Sequence, residues 1–106
     1  MKEWAECVGF DWDDGNINKN WEKHGVTDSE CEEVFFNRPF AVRQDPVHSS
    51  DEERRWRAFG QTDRGRYLLV AFTVRRYLIR IVSARLMTRR ERRFYASYEK
   101  SESQEA

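Results

Sequence analysis

The sequence is poor in cysteine and in long apolar runs. Its two cysteines, Cys7 and Cys31, are far apart and form no C-x-x-C pair, which indicates an intracellular, reducing environment rather than a disulfide scaffold. No apolar stretch approaches the roughly 18 residues of a membrane span, and the chain does not open on an apolar signal segment. We therefore expect a soluble, cytoplasmic protein that makes no contact with a membrane.

Several catalytic motifs are also missing. The sequence has no glycine-rich phosphate loop, no G-x-S-x-G, no H-E-x-x-H and no zinc-finger spacing. Its two histidines, His24 and His48, and its two cysteines are scattered and lack the spacing of metal ligands. The chemistry we expect is therefore free of metal and cofactor, or consists of binding alone.

The sequence does have a strongly uneven distribution of charge. Residues 1–63 hold eight Lys and Arg against fifteen Asp and Glu, a net charge of −7, and residues 64–106 hold eleven against four, a net charge of +7. Ten of those eleven are arginines, whose planar guanidinium groups can grip a phosphate through two parallel hydrogen bonds. This asymmetry predicts a polyanion site in the second part of the chain. The alternative is a solvated basic face that pairs with the acidic part of its own chain.

The residue patterns predict one α+β domain over residues 1–106. The first predicted elements are an edge strand within residues 7–12, a helix at 14–24 with Ile17 and Trp21 on its apolar face, and a helix begun by a Thr27–Glu30 capping box. Strands are predicted at 40–43, 55–61, 67–74 and 77–84. A last helix follows, begun by a Thr88–Glu91 capping box, and then a disordered tail at 101–106. This order favours an antiparallel sheet of three to four strands, with two N-terminal helices and one C-terminal helix gathered on one side.

Two arginines of the last predicted strand stand out. Arg80 lies within an apolar run, where a charge is costly unless it is paired or faces a groove. A structural salt bridge to a carboxylate of the acidic part is the alternative. Strand alternation places Arg80 and Arg85 on opposite faces, so both can reach one ligand only if the strand ends or twists between them.

Further candidates lie in the helices and in one loop. Arg89, Arg92 and Arg93 share one side of the last helix, where they can contact a nucleic-acid backbone, an acidic partner protein, or only solvent. His24 can transfer protons near neutral pH, or it can simply stabilise the C-terminal end of its helix. His48, which follows Asp45 in a turn-rich loop, can belong to an acid–base site or a metal site.

A series of short strings resembles one known family. FDWD (residues 10–13), KHGV (23–26), ER (53–54) and IRIVSAR (79–85) occur in this order and are followed by Thr88, Glu91-Arg92 and Tyr95. In this order and over most of the chain, the strings are similar to those of the BrnT family. Two departures occur: Arg75-Arg76 replaces a glycine-containing turn, and Val82 stands where isoleucine is usual.

The resemblance implies a RelE-like α+β fold and a ribonuclease toxin of a type II toxin–antitoxin system. It also implies a BrnA-like DNA-binding antitoxin, through which alone the protein would contact operator DNA. By the same resemblance, the family's motif residues fall on Lys23, His24, Arg54, Arg80 and Arg85, with Glu53 and Tyr95 as weaker members. Of the candidates, we expect Lys23, His24, Glu53, Arg80 and Arg85 to be catalytic. Arg54 belongs with the arginines of the last helix, Arg89, Arg92 and Arg93, as a predicted RNA contact.

The mechanism that we expect is attack of the RNA 2′-hydroxyl on the neighbouring phosphate, which needs no metal. Arg80 and Arg85 would bind the phosphate, Lys23 would assist, and His24 or Glu53 would transfer protons. Aromatic residues are enriched in interface cores, so three of them are predicted antitoxin contacts: Phe94, Tyr95 and Tyr98. The alternative function is a non-catalytic module that binds nucleic acid or antitoxin within a repressor complex.

Overall fold

The computed structural model describes residues 3–50 and 53–105. A short 3₁₀ helix, Glu3–Glu6, precedes the main elements. These are β1 (Gly9–Phe10), α1 (Lys19–His24), α2 (Asp28–Glu33), β2 (Ala41–Asp45), β3 (Arg55–Gln61), β4 (Tyr67–Arg75), β5 (Leu78–Leu86) and α3 (Arg89–Glu105). The predicted α+β class is confirmed, whereas the RelE-like relationship and the single domain stay predictions.

The sheet has five strands in the order β1-β5-β4-β3-β2. Strands β2 to β5 form the predicted antiparallel meander, but β1 pairs with β5 in parallel, through Gly9 with Leu78 and Phe10 with Ile79. The prediction of a purely antiparallel sheet of three to four strands is therefore wrong. The chain leaves β1, crosses through α1 and α2 to the far edge, and returns strand by strand until β5 reaches β1.

Helices pack on both faces of the sheet, and the predicted one-sided arrangement is wrong. Alternate residues of β4 face opposite ways: Leu68, Val70 and Phe72 belong to the cluster that includes Val26, Cys31 and Val34 from α2 and its flanks. Leu69 belongs to a second cluster, with Ala41, Phe59, Met87 and Tyr95 of α3. Because β4 is central and buried on both faces, its nearly continuous apolar run has no polar side that would reveal where the helices lie.

Helix α1 is shorter than predicted. It begins at Lys19, since Asn18 has a left-handed backbone with φ of 61° and residues 14–18 form turns. Ile17 and Trp21, the predicted apolar face, are both about half exposed, whereas Asn20 is buried. That part of the prediction is wrong, because the helix contacts the sheet through a polar side chain.

Asn16 and Asn20 cover the outer edge of β5 where β1 is too short to do so. The Asn16 side-chain amide donates to the carbonyl of Ile81 at 3.0 Å, and the backbone N–H of Ala84 donates to Asn20 Oδ1 at 2.8 Å. A buried backbone group without a partner is costly, so these two amides replace the missing strand. The sequence patterns did not indicate this role.

Both predicted capping boxes are confirmed. Thr27 and Glu30 exchange hydrogen bonds at the start of α2, and Thr88 and Glu91 do so at the start of α3. Helix α3 continues to Glu105, through most of the segment predicted as a disordered tail. It is held down by Tyr95, which is fully buried and whose hydroxyl donates to the carbonyl of Pro39 at 2.6 Å.

Gly60 marks the closest approach of β3 to α2, and we expect Gly60→Ala to destabilise the fold by about 1–3 kcal/mol. A Cβ at this position would lie 2.7 Å from Val34 Cγ1 and 3.2 Å from the Val34 carbonyl oxygen. Val34 is fully buried and cannot move aside. Urea unfolding measures the effect. Gly9→Ala is the matched control, because its Cβ would meet only Leu78 at an ordinary 3.4 Å; equal midpoints for the two variants would contradict the expectation.

Candidate functional site

The face of the sheet on which α3 packs is only partly covered by that helix. Ala41, Phe59 and Leu69 form one cross-strand row with Arg85, and the three apolar residues pack against α3. Two further rows continue this face: Arg43, Arg57, Ala71 and Ser83 in the first, and Asp45 with Arg55 and Thr73 with Arg80 in the second. We call the part that carries Arg55, Arg57, Arg80 and Arg85 the arginine face.

A β-bulge in β5 puts Arg80 and Arg85 on the same face. Ala71 pairs with Ser83 but Phe72 pairs with Ile81, so Val82 is an extra residue that β4 does not match. Such a bulge shifts the alternation of side chains by one. Regular strand alternation would place Arg80 and Arg85 on opposite faces. The bulge places them on one face, although the strand does not end between them.

The arginine face contains a depression of about 320 Å³, which we call the His48 depression. Its lining residues are Asp45, His48, Arg55, Arg57, Leu69, Ala71, Ser83 and Arg85. The imidazole of His48 is 58% exposed and its Nδ1 lies 2.9 Å from Asp45 Oδ2. Because that bond engages Nδ1, the second ring nitrogen, Nε2, is left to accept or donate a proton.

Asp45 is built to stay ionised. Its carboxylate is nearly buried and accepts hydrogen bonds from the backbone N–H groups of Val47 and His48, at 3.1 and 3.3 Å. Burial acts to raise the pKa of this carboxyl, but the bonds from His48 and the nearby charge of Arg57 outweigh it, so the pKa lies below its ordinary value. A fixed carboxylate on Nδ1 orients a histidine and selects the tautomer with a reactive Nε2.

Arg85 stands at the rim of the depression, where α3 begins. Its two terminal nitrogens donate to the two oxygens of Glu91 at 2.7 and 2.9 Å. This bidentate pair raises the pKa of Arg85 and lowers that of Glu91. A guanidinium has five N–H groups, so the pair fixes the orientation of Arg85 and still leaves donors for a ligand.

Arg80 forms a structural salt bridge with carboxylates of the acidic part of the chain, which was the alternative to a free, ligand-binding guanidinium. Its guanidinium is 14% exposed and contacts both oxygens of Asp13, at 3.0 and 2.8 Å, and Asp11 at 3.5 Å. The hydrogen bonds that Arg80 donates to Asp13 raise the pKa of Arg80. Arg80 lines a second depression of about 200 Å³, the Thr73 depression, together with Gly15, Asn16, Glu53, Arg55, Thr73, Arg75, Ile81 and Val82.

The other predicted catalytic residues are divided between two places. Glu53 borders the Thr73 depression and accepts a hydrogen bond from Arg75 at 2.9 Å. Lys23 and His24 are exposed in the last turn of α1 and line neither depression. The structure therefore places Arg85 at the His48 depression and Arg80 and Glu53 at the Thr73 depression, and it places Lys23 and His24 at neither.

The predicted RNA contacts of α3 form a separate surface. Arg89, Arg92 and Arg93 line a depression with Tyr67, and the Arg92 guanidinium lies 4.5 Å above the Tyr67 ring. This surface shares no lining residue with the His48 depression. Arg54 is exposed in the segment before β3.

Of the three predicted antitoxin contacts, one is exposed. Tyr98 is accessible, Phe94 packs against Phe59 with ring centroids 5.0 Å apart, and Tyr95 is fully buried. Tyr95 and Phe94 therefore attach α3 to the sheet in this structure.

The sequence did not single out most of the His48 depression. Arg55 and Arg57 are separated by one residue in a predicted strand, and this spacing alone indicates that they share a face. His48 and Asp45 were noted as neighbours in a loop, but their direct bond depends on the turn between them. Ser83 had no signal, because its face is decided by the bulge.

No helix in the described part of the chain is long and apolar enough to cross a membrane. Within residues 3–50 and 53–105, no group of three or more His, Cys, Asp or Glu side chains is placed to hold a metal ion.

These features define an α+β protein whose open sheet face presents guanidinium groups and a carboxylate-oriented histidine, the side chains that bind and transform phosphate groups. The chain belongs to the BrnT family: the family described as "Ribonuclease toxin, BrnT, of type II toxin-antitoxin system" matches residues 12–91. No curated protein matches the chain. Membership makes it a ribonuclease toxin of a type II system, with RNA as its substrate and an antitoxin as its partner.

Proposed function

We propose that RNA is cleaved in the His48 depression, without a metal ion, by attack of a ribose 2′-oxygen on the adjacent phosphorus. The observation that carries this proposal is the position of His48. One of its ring nitrogens is bonded to Asp45, and the ring lines a depression that also holds Arg55, Arg57 and Arg85. A proton acceptor and phosphate-binding cations are the groups that this reaction needs.

In the proposed reaction, neutral His48 takes the proton of the 2′-hydroxyl on Nε2. The 2′-oxygen forms a bond to phosphorus, the bond from phosphorus to the 5′-oxygen breaks, and that oxygen takes a proton from the solvent to which the depression is open. Asp45 stabilises the positive imidazolium ring that forms. The products are a 2′,3′-cyclic phosphate and a 5′-hydroxyl.

The arginines have distinct parts in this proposal. Arg57 is 42% exposed and lies 3.6 Å from a single carboxylate oxygen of Asp45, so it is available to a phosphate. Arg85 is held in one orientation by Glu91 and contributes its remaining donors. Negative charge increases on the phosphate oxygens as the 2′-oxygen adds, and donors fixed in advance stabilise that state more than the ground state.

The nature of the products tests the proposal. We expect purified protein to yield RNA fragments that end in a 2′,3′-cyclic phosphate and begin with a 5′-hydroxyl, at a rate that EDTA does not change. Mass spectrometry of the fragments identifies both ends. A 2′-deoxy substitution at the cleaved nucleotide should abolish cleavage. Inhibition by EDTA that Mg²⁺ reverses, or fragments with 5′-phosphates, would contradict the mechanism.

We also propose that the antitoxin is BrnA-like and binds DNA, that the toxin reaches operator DNA only through it, and that the protein acts in the cytoplasm. Family membership supports this. Co-expression with a candidate antitoxin should yield a complex that binds operator DNA, while the toxin alone should leave that DNA unshifted.

A further inference from the structure

The Thr73 depression lies directly beside the His48 depression on the arginine face. Arg55 lines both of them. Thr73 and Arg80 pair across β4 and β5 in the same row of the sheet as Asp45 and Arg55. A ligand that enters one depression therefore extends naturally into the other.

Two buried polar atoms in this depression have no hydrogen-bond partner in the described part of the chain: Thr73 Oγ1 and Arg55 Nε. Thr73 is only 1% exposed, so its hydroxyl is shielded from bulk solvent. Buried polar groups are nearly always paired, and an unpaired one is unfavourable. Two such atoms that line one small depression suit an oxygen-rich ligand, which can pair with both of them.

The charges around these atoms favour an anion of low charge. Arg80 is already bound by Asp13, which fixes its place without removing all its donors. Among the described residues, Arg75 forms an ion pair with Glu53, and both side chains are substantially exposed, so this contact is weak and can be exchanged for a ligand. Together with Arg55, these groups suit one phosphodiester better than a terminal phosphate or a polyphosphate.

The spacing of the two depressions suits neighbouring phosphates of one RNA strand. Ala71 lines the His48 depression and Thr73 lines the Thr73 depression. These residues are two apart on β4, which places their Cα atoms roughly 7 Å apart along the strand. Successive phosphates of an extended single strand are separated by a similar distance. An RNA backbone that runs along β4 would therefore present one phosphate to each depression.

We propose that the Thr73 depression binds the phosphodiester next to the one that is cleaved, through the Thr73 hydroxyl, Arg55 Nε and Arg75. This inference rests on the proposed function for the place of the cleaved phosphate. The protein thus holds two successive phosphates of single-stranded RNA.

Thr73→Val tests the proposal, because it removes the hydroxyl and keeps the shape of the side chain. The hydroxyl has no hydrogen-bond partner within residues 3–50 and 53–105, so its loss should not destabilise the fold. The probes are 2′-O-methyl oligonucleotides, which lack the attacking hydroxyl: one with a single phosphodiester, and others with a second phosphate on the 5′ or the 3′ side. Dissociation constants come from NMR titration of isotope-labelled protein.

For the wild type, we expect the second phosphate on one of the two sides to tighten binding by about tenfold. Thr73→Val should lose most of that gain and bind the single-phosphate probe as before. Thr62→Val is the matched control: Thr62 is also buried, but its hydroxyl accepts a hydrogen bond from Arg66 N–H and lies outside both depressions. It should keep the gain.

The proposal is overturned if the second phosphate adds nothing to wild-type binding, which would mean that only water fills the depression. It is equally overturned if Thr73→Val keeps the gain or loses the same factor for every probe. These outcomes are independent of cleavage. Protein that binds two phosphates through Thr73 but leaves RNA intact would refute the proposed function alone, and protein that cleaves RNA without the gain would refute only this inference.

Discussion

Replacement of His48 by alanine is expected to lower the rate constant of RNA cleavage by about 10²- to 10⁴-fold, the contribution of a positioned proton-transfer group. The side chain is largely exposed, and among the described residues its ring bonds to Asp45 alone, so the variant should fold normally. Single-turnover cleavage of a defined RNA measures the rate, and circular dichroism checks the fold.

His24→Ala is the matched control. His24 is also an exposed histidine, but it lies in the last turn of α1, where its charge suits the helix terminus. We expect this variant to cleave RNA as fast as the wild type. The reverse result, with full activity in His48→Ala and none in His24→Ala, would show that the motif position rather than the depression marks the site.

Arg57→Gln is expected to lower kcat/KM by about 10²- to 10³-fold, the typical loss when one preorganised donor to a developing charge is removed. Because Arg57 is partly exposed and its contact with Asp45 is long, little stability should be lost. Steady-state kinetics on a short RNA should place most of the loss in kcat.

Arg38→Gln controls for the loss of one positive charge. Arg38 is exposed and lines an aromatic cleft with Trp4, Phe35 and Phe40, outside the arginine face. It should be nearly silent at moderate salt, where distant charges are screened. If Arg57→Gln raised only KM, Arg57 would bind the substrate without stabilising the transition state, and its proposed part would be wrong.

Much of the fold could be predicted because its signals are local. The alternation in β3, the turn residues before β4 and the two capping boxes each lie within a few neighbouring residues. The parallel pairing of β1 with β5 could not be predicted, since it joins two segments that are far apart in the sequence and no local pattern links them. The face of α1 was also missed, because its contact with the sheet is Asn20, which hydrophobic periodicity does not count.

The candidate site was also only partly predictable, because residue types are visible in the sequence and their common face is not. Arg80 and Arg85 were recognised by their residue type and by the family motif, but their common face depends on the bulge at Val82, and exposed Val82 carries no mark of it. The family motif placed His24 among the candidates, whereas the structure places His48 beside the arginines. The family motif names candidate residues, but the fold decides which of them lie close together.

Glu91 takes part both in the capping box of α3 and in the ion pair with Arg85. One of its oxygens accepts the Thr88 N–H that begins α3, and the same oxygen accepts a hydrogen bond from Arg85. The start of the helix and the rim of the site are therefore energetically coupled, and the effects of substitutions in these three residues will not add. A substitution that improves the helix cap also changes the orientation of the Arg85 side chain. Arg85, Thr88 and Glu91 therefore constrain how this surface can evolve toward other substrates.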